Sequence, residues 1–333
     1  MRDVSQRRVV RVSLLLACVC GGGCGTPAAN PGVPAGAESP EPAEPAAPVV
    51  MLQAAPPPGV TGRLVFHTDR EGRNRLFVLD FATHALSRLT TGRDYHDEEA
   101  AWSPDGAHVA FTTTRFDSRT WDIAVMDATG KAVRRVTTHL AFDRHAAWMP
   151  DGRSLLFTSE QDGTQAVFRA WLDTGRVARV SPPPERALMP AVSPDGRRVA
   201  YTMGTPGGLR VAVQELDSGD VRMMTREGGN AAGPRWSPDG TRLAYTRLSQ
   251  GGSSIEILTL ATGTLERIAV DGLPALREPA WSLDGRWIAA SGSPATGEHE
   301  DWDLVLLQPG PPAAAFRLTG GRAHDRAPSW IPR

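Results

Sequence analysis

Trp102–Gly106 reads WSPDG, and Trp236–Gly240 reads the same five residues again. Between them stand WMPDG at Trp148–Gly152 and VSPDG at Val192–Gly196, and after them WSLDG at Trp281–Gly285. The closing glycines are 46, 44, 44 and 45 residues apart. A period in this range, kept over five copies, marks a repeat architecture rather than a series of unrelated domains. Pro-Asp-Gly suits a tight turn, because proline presets φ and glycine accepts a positive one. Apolar runs follow each copy: HVAFTTT, DIAVMD and VRRVTT after the first, RLAYTRL, SIEILTL and LERIAV after the fourth. Their period of two and their Val, Ile, Leu and Thr content are those of strands, separated by turn residues. The stretch ending at each Trp supplies one more strand. Four antiparallel strands in about 45 residues make the blade of a β-propeller.

The blades can be counted. RLVFHT (63–68), RLFVLD (75–80) and LSRLT (86–90) match the last three strands of a unit that lacks its leading strand, and Gly62 stands 44 residues before Gly106, in register. APSWIPR (327–333) matches a leading strand and nothing else. These pieces are expected to share one blade, which closes the ring and removes exposed sheet edges. The predicted fold is all-β: a six-bladed propeller over 61–333, latched by its C-terminal strand. Trp102, Trp148, Trp236, Trp281 and Trp330 then occupy one repeat position, with Val192 as the sixth. A ring at that position packs between adjacent blades and buries on the order of 200 Å². Asp105, Asp151, Asp195, Asp239 and Asp284 read as turn formers rather than metal ligands.

Composition agrees. The chain has 333 residues, 41% hydrophobic, enough to bury a sizeable core in one large domain or two ordinary ones. Lys+Arg (36) and Asp+Glu (37) nearly cancel, which argues against a nucleic-acid partner, since such binders carry a basic surplus. Gly (34) and Pro (28) are abundant, as a turn-rich fold requires. No G-x-S-x-G, H-E-x-x-H, P-loop or dinucleotide fingerprint occurs, so no enzyme class is signalled and no catalytic residue is named.

The first 24 residues differ in kind. Four arginines in MRDVSQRRVVR precede the short apolar run VSLLLACVC, the pattern of an export signal. All three cysteines, Cys18, Cys20 and Cys24, lie here, so the rest of the chain has neither disulfide nor thiolate metal site. Leu15-Leu16-Ala17-Cys18 resembles a bacterial lipoprotein signal, which implies lipidation at Cys18, with Cys24 as the alternative. That resemblance implies a lipid-anchored protein of the cell envelope, placed at the outer membrane and facing the periplasm. Residues 25–60 hold ten of the 28 prolines and few large apolar residues, and are expected to be a disordered tether.

The SPDG-centred repeat, its period and the six units resemble the six-bladed TolB-type propeller over roughly 61–333. The resemblance implies a periplasmic protein-binding module that takes a partner's peptide at its channel mouth, so the expected partner is an envelope protein or peptide. Two departures from TolB are noted: no preceding α/β domain in this sequence, and a lipid signal with its own tether.

The residues entering the first strand of each blade should approach the channel mouth. His96 and Asp97 precede Trp102, Asp143 and His145 precede Trp148, and His324 and Asp325 precede Trp330. These three blades are consecutive, whereas the entries at 186–189, 230–233 and 275–278 read as bland. The six residues are ligand-binding candidates. No cofactor is expected, although histidines with carboxylates could hold a divalent metal or act as acid and base, as in related polysaccharide lyase propellers. The alternative function is therefore a metal-assisted lyase or hydrolase.

Overall fold

The computed structural model describes residues 49–50, 52–53, 59–92, 94–296, 301–310 and 313–332; the signal region with Cys18, Cys20 and Cys24 lies outside them. Their strands form six four-stranded antiparallel groups. Blade 1 joins Asp325–Trp330 to Arg63–Thr68, Arg75–Asp80 and Leu86–Arg88. Blade 2 runs Asp97–Trp102, His108–Thr113, Asp122–Asp127 and Arg134–Arg135, and blade 3 runs Asp143–Trp148, Ser154–Ser159, Ala166–Trp171 and Val177–Arg179. Blade 4 runs Ala187–Val192, Arg198–Thr205, Gly208–Glu215 and Val221–Met223. Blade 5 runs Ala231–Trp236, Arg242–Ser249, Gly252–Thr259 and Leu265–Val270, and blade 6 runs Ala275–Trp281, Ile288–Ser293, Asp303–Gln308 and Ala314–Arg317. The shared blade is realised in the register Asp325↔Thr68, Arg326↔His67, Ser329↔Val65 and Trp330↔Leu64.

The repeated turn works as its residues dictate. In the SPDG copies the Ser hydroxyl donates to the Asp two residues on, at 2.6 Å from Ser103 to Asp105 and 2.5 Å from Ser193 to Asp195. The same carboxylates accept backbone N–H groups of the turn, as from Ala107 and Arg197. These hydrogen bonds hold the turn carboxyls low, Asp239 at about 2. Gly106 and its four equivalents have φ of 66–71°, a region where a side chain would be strained.

The second strands are apolar on both faces because each sheet is stacked between two neighbours: all six residues of Ser154–Ser159 are buried. The repeat tryptophans sit in these seams. Trp148, Trp236, Trp281 and Trp330 are 7–9% exposed. Each donates its indole N–H to a first-strand carbonyl of the preceding blade: Ala101, Ala191, Arg235 and Ala280 respectively. Trp102 lacks such an acceptor.

One part of the expected tether joins the sheets. Val49–Val50 pairs in parallel with Ala269–Val270 of blade 5, and Leu52–Gln53 with Ala315–Phe316 of blade 6. An outermost strand leaves backbone groups unpaired, and the apolar stretch VVMLQ is suited to fill them. Among the described residues no helix is long and apolar enough to cross a membrane.

Candidate functional site

The first strands line the axis, and each touches the first strand of the next blade all the way round the ring. Each carries the same irregularity. The pairing to the second strand slips between the residues four and one before the Trp position, as between Arg144 and Ala147. The residue three before it takes a positive φ in all six blades: Glu99 (53°), His145 (58°), Met189 (57°), Gly233 (63°), Glu278 (57°) and Ala327 (50°). Five of the six are not glycine, so the bulge costs strain on the order of 1 kcal/mol at each. The strain is offset by a hydrogen bond across every blade junction. The bulge N–H donates to a second-strand side chain of the preceding blade: Met189 to Thr158 at 3.0 Å, Gly233 to Thr202 at 2.9 Å, Glu278 to Thr246 at 3.3 Å and Ala327 to Ser291 at 3.1 Å. Glu99 donates to His67 Nδ1 at 3.4 Å, and His145 to the Glu99 carboxylate at 3.1 Å.

Two junctions carry an identical charged clamp. At the junction of blades 2 and 3, Glu99 accepts from its own blade's Thr112 hydroxyl (2.9 Å) and from Arg144 of the next blade (2.7 Å). At the junction of blades 6 and 1, Glu278 accepts from its own Ser291 hydroxyl (2.7 Å), Arg326 (2.7 Å) and the Ala327 N–H (2.9 Å). Each arginine also lies 4.9 Å from a tryptophan ring of the preceding blade, Trp121 or Trp302. Burial would raise the Glu99 carboxyl, but Arg144 and His145 outweigh it and hold it far below the usual range. Burial is likewise overcome at Glu278, held at about 2 by Arg326 and His67. Arg144 additionally holds Glu98 at 2.9 Å.

Around these clamps lie His67, His145 and Arg235. Burial pushes His145 down to about 4, so it is neutral at pH 7. Its Nε2 sits 3.3 Å from Glu99 Oε1 and is therefore the protonated nitrogen, while Nδ1 has no hydrogen-bond partner. His67 is also lowered by burial. Arg235 of blade 5 feels Glu278 of blade 6 and Glu99 of blade 2, and His145 of blade 3 feels Arg235. Groups from four blades can lie within one another's field only around the shared axis.

The six candidates named from sequence do not form one cluster. Asp97 is fully buried against Arg115 (2.6 Å), and Asp325 is held by both oxygens by Arg70 (2.8 and 2.9 Å). Asp143 is fully buried with His139 Nε2 at 3.5 Å. His96 contacts Arg73 at 2.9 Å and packs beside Trp121, and His324 leans on Asp69 at 4.0 Å. His145 alone of the six belongs to the axial network. Conversely, the entry at 275–278, which reads as bland in sequence, supplies Glu278, and Arg235 and His67 carry no motif. Counting back three and four residues from each Trp would have picked out Glu98, Glu99, Arg144, His145 and Glu278, once the bulge is known.

The sequence profile described as the TolB beta propeller domain matches residues 99–232 and 182–299, together more than half of the chain. The chain belongs to the TolB β-propeller family. Among solved structures, TolB from Acinetobacter baumannii is similar at 21% identity and a TM-score of 0.68, over 82% of this chain and 67% of that one. A putative TolB from Agrobacterium tumefaciens is similar at 16% identity and TM-score 0.64, over 82% of this chain and all (100%) of that one. An oligogalacturonate lyase from Vibrio parahaemolyticus shares the fold at 16% identity and TM-score 0.53, over 81% and 77% of the two chains. No curated protein matches by sequence.

Among the described residues no group of three or more His, Cys, Asp or Glu is arranged to hold a metal ion. The carboxylates nearest the axis, Glu99 and Glu278, are engaged by Arg144 and Arg326.

Proposed function

We propose that this protein is an exported, lipid-anchored propeller of the periplasm or cell envelope, at the outer membrane, that binds a protein or peptide at its channel mouth. One observation carries the reading. The repeat is regular in its turns, seams and bulges, and its departures from regularity concentrate on the axis: Glu99, Arg144, Arg235, Glu278 and Arg326 are charged there, whereas Met189 and Gly233 of blades 4 and 5 carry no charge. A rigid ring that presents unequal polar and apolar walls can bind an extended segment without first being ordered itself. His96, His145 and His324 are the candidates for ligand contact. Asp97, Asp143 and Asp325 are the buried carboxylates that open the same three first strands. Cys18, or alternatively Cys24, carries the lipid and the following chain acts as the tether.

The test is a photo-crosslinking amino acid at Met189, expressed in the source cell, with mass spectrometry of captured species and of the mature N-terminus. A reproducible envelope partner and a lipidated Cys18 or Cys24 are expected. Capture of no partner sinks the binding reading. Turnover of an oligogalacturonate by purified protein supplied with a divalent metal would replace it with the lyase-type alternative.

A further inference from the structure

The residue immediately before the Trp position is Ala101, Ala147, Ala191, Ala280 or Ser329 in five blades and Arg235 in the sixth. Small residues suit this place, since the first strands crowd one another there. An arginine that breaks the pattern sets a half-buried charge among the first strands. Such a residue destabilises the ring unless the guanidinium is paired, because an unpaired charge out of water is costly. Yet among the described residues Arg235 has no carboxylate within ion-pair distance. Its one hydrogen bond is from Nη1 to the carbonyl of its neighbour Pro234, at 2.9 Å. The carboxylates in its field, Glu278 and Glu99, are taken by Arg326 and by Arg144. Burial accordingly dominates its environment and lowers its proton affinity. Its surroundings leave room. Gly233, two residues earlier, has no side chain, and an added Cβ there would meet only the Met189 sulfur, at 3.6 Å. His145, whose field includes Arg235, offers an unpartnered Nδ1 that can accept a hydrogen bond.

Resting on the reading of the channel as a peptide site, we propose that Arg235 is its anchor for a carboxylate, so that the preferred ligand is an acidic peptide. The guanidinium would donate its free N–H groups to the ligand's carboxylate, and the apolar wall at Met189 and Gly233 would take the adjoining chain. The blade-5 arginine thus forgoes packing in return for recognition, the kind of local rule-breaking expected at functional sites.

The test uses the full chain and three fluorescein-labelled heptapeptides: one rich in Glu with an amidated C-terminus, its Gln counterpart, and the Gln peptide with a free C-terminus. Wild-type protein should bind the Glu peptide about tenfold to a hundredfold more tightly than the amidated Gln peptide, the range for a charged hydrogen-bonded pair. In Arg235→Ala that preference should vanish, and Arg235→Lys should keep part of it. Because Ala is the residue of four sister blades, Arg235→Ala should fold, with a melting temperature equal to or above wild type. If the free-C-terminus Gln peptide matches the Glu peptide, the carboxylate recognised is the chain end. Equal preference in wild type and Arg235→Ala, no binding of any peptide, or binding of tri-galacturonate alone overturns the proposal. The Met189 crosslinker separates the two levels. A partner captured equally by wild type and Arg235→Ala leaves the binding reading standing and removes the carboxylate anchor. Capture by neither removes the reading itself.

Discussion

The junction of blades 2 and 3 and the junction of blades 6 and 1 are built on one plan. Each has a Glu–Arg clamp on the axis, a Trp under the arginine, and a buried Asp starting the next first strand. Each also has an Asp–Arg pair behind it, Asp122–Arg135 at 2.8 Å and Asp303–Arg317 at 3.2 Å. They part at one point. Asp325 receives both of its hydrogen bonds from Arg70, two residues after Thr68, the partner of Asp325 in the sheet. Asp143 is paired with Ser159, and two residues on the chain has Gln161. The remaining charge-bearing neighbour is His139, its Nε2 at 3.5 Å. Asp97, in blade 2, follows the arginine pattern through Arg115. Burial, only partly offset by the Ser159 and Thr137 hydroxyls, pushes Asp143 up to about 7. At Asp97 and Asp325 an arginine two residues past the sheet partner ion-pairs the buried carboxyl that starts the strand, whereas Asp143 lacks that arginine and titrates near neutrality.

The largest expected effect tests whether the two junctions are equally important to the ring. Trp148→Ala and Trp330→Ala each remove a seam ring and should cost about 3–5 kcal/mol in urea unfolding. Trp330, on the strand that latches the ring, should cost no less than Trp148; a much smaller loss would show that the latch is dispensable. Next, Asp325→Asn leaves Arg70 facing a neutral amide and should cost about 3 kcal/mol. Asp143→Asn mimics the protonated acid and should cost little at pH 5. Equal losses at pH 5 would break the comparison.

The pH dependence sharpens it. An unfolded Asp titrates near 3.9, so a folded value of about 7 means that the folded state holds the extra proton between the two. Asp143 therefore lowers stability progressively as pH rises from about 4 to about 7, and its effect levels off above. His139, lowered by burial, acts in the opposite sense, lowering stability as pH falls through its unfolded value. The difference in melting temperature between Asp143→Asn and wild type should grow in favour of the variant from pH 4 to pH 7. Gln161→Arg, which restores the residue of the sister blades, should show the same trend. A pH-independent difference would mean that Asp143 is ionised throughout. The smallest effect concerns the bulges: Ala327→Gly relieves a positive φ of 50° and should gain up to about 1 kcal/mol, whereas His145→Gly should lose stability despite the same relief.

Much of this molecule is written locally. Turn chemistry, strand period and the Trp position act over five to ten residues, so WSPDG, its relatives and APSWIPR suffice to give the blade, the count and the latch. The site is less legible. Asp97, Asp143, His145 and Asp325 stand out by type, but their partners do not. Arg70 meets Asp325 across 255 residues and Glu278 meets Arg326 across 48. Nothing in the sequence neighbourhood of Glu278 marks it, because its partner Arg326 comes from another blade.

By itself, then, the sequence determined the sheets and their circular order, because backbone hydrogen bonding and apolar period are properties of short stretches. Only the closed ring decided which charges meet, which carboxyl lacks an arginine, and that Arg235 lies near the axis with no carboxylate in ion-pair distance among the described residues. Those outcomes depend on the distance between side chains on different blades, and that distance does not exist until the last strand has paired with the first.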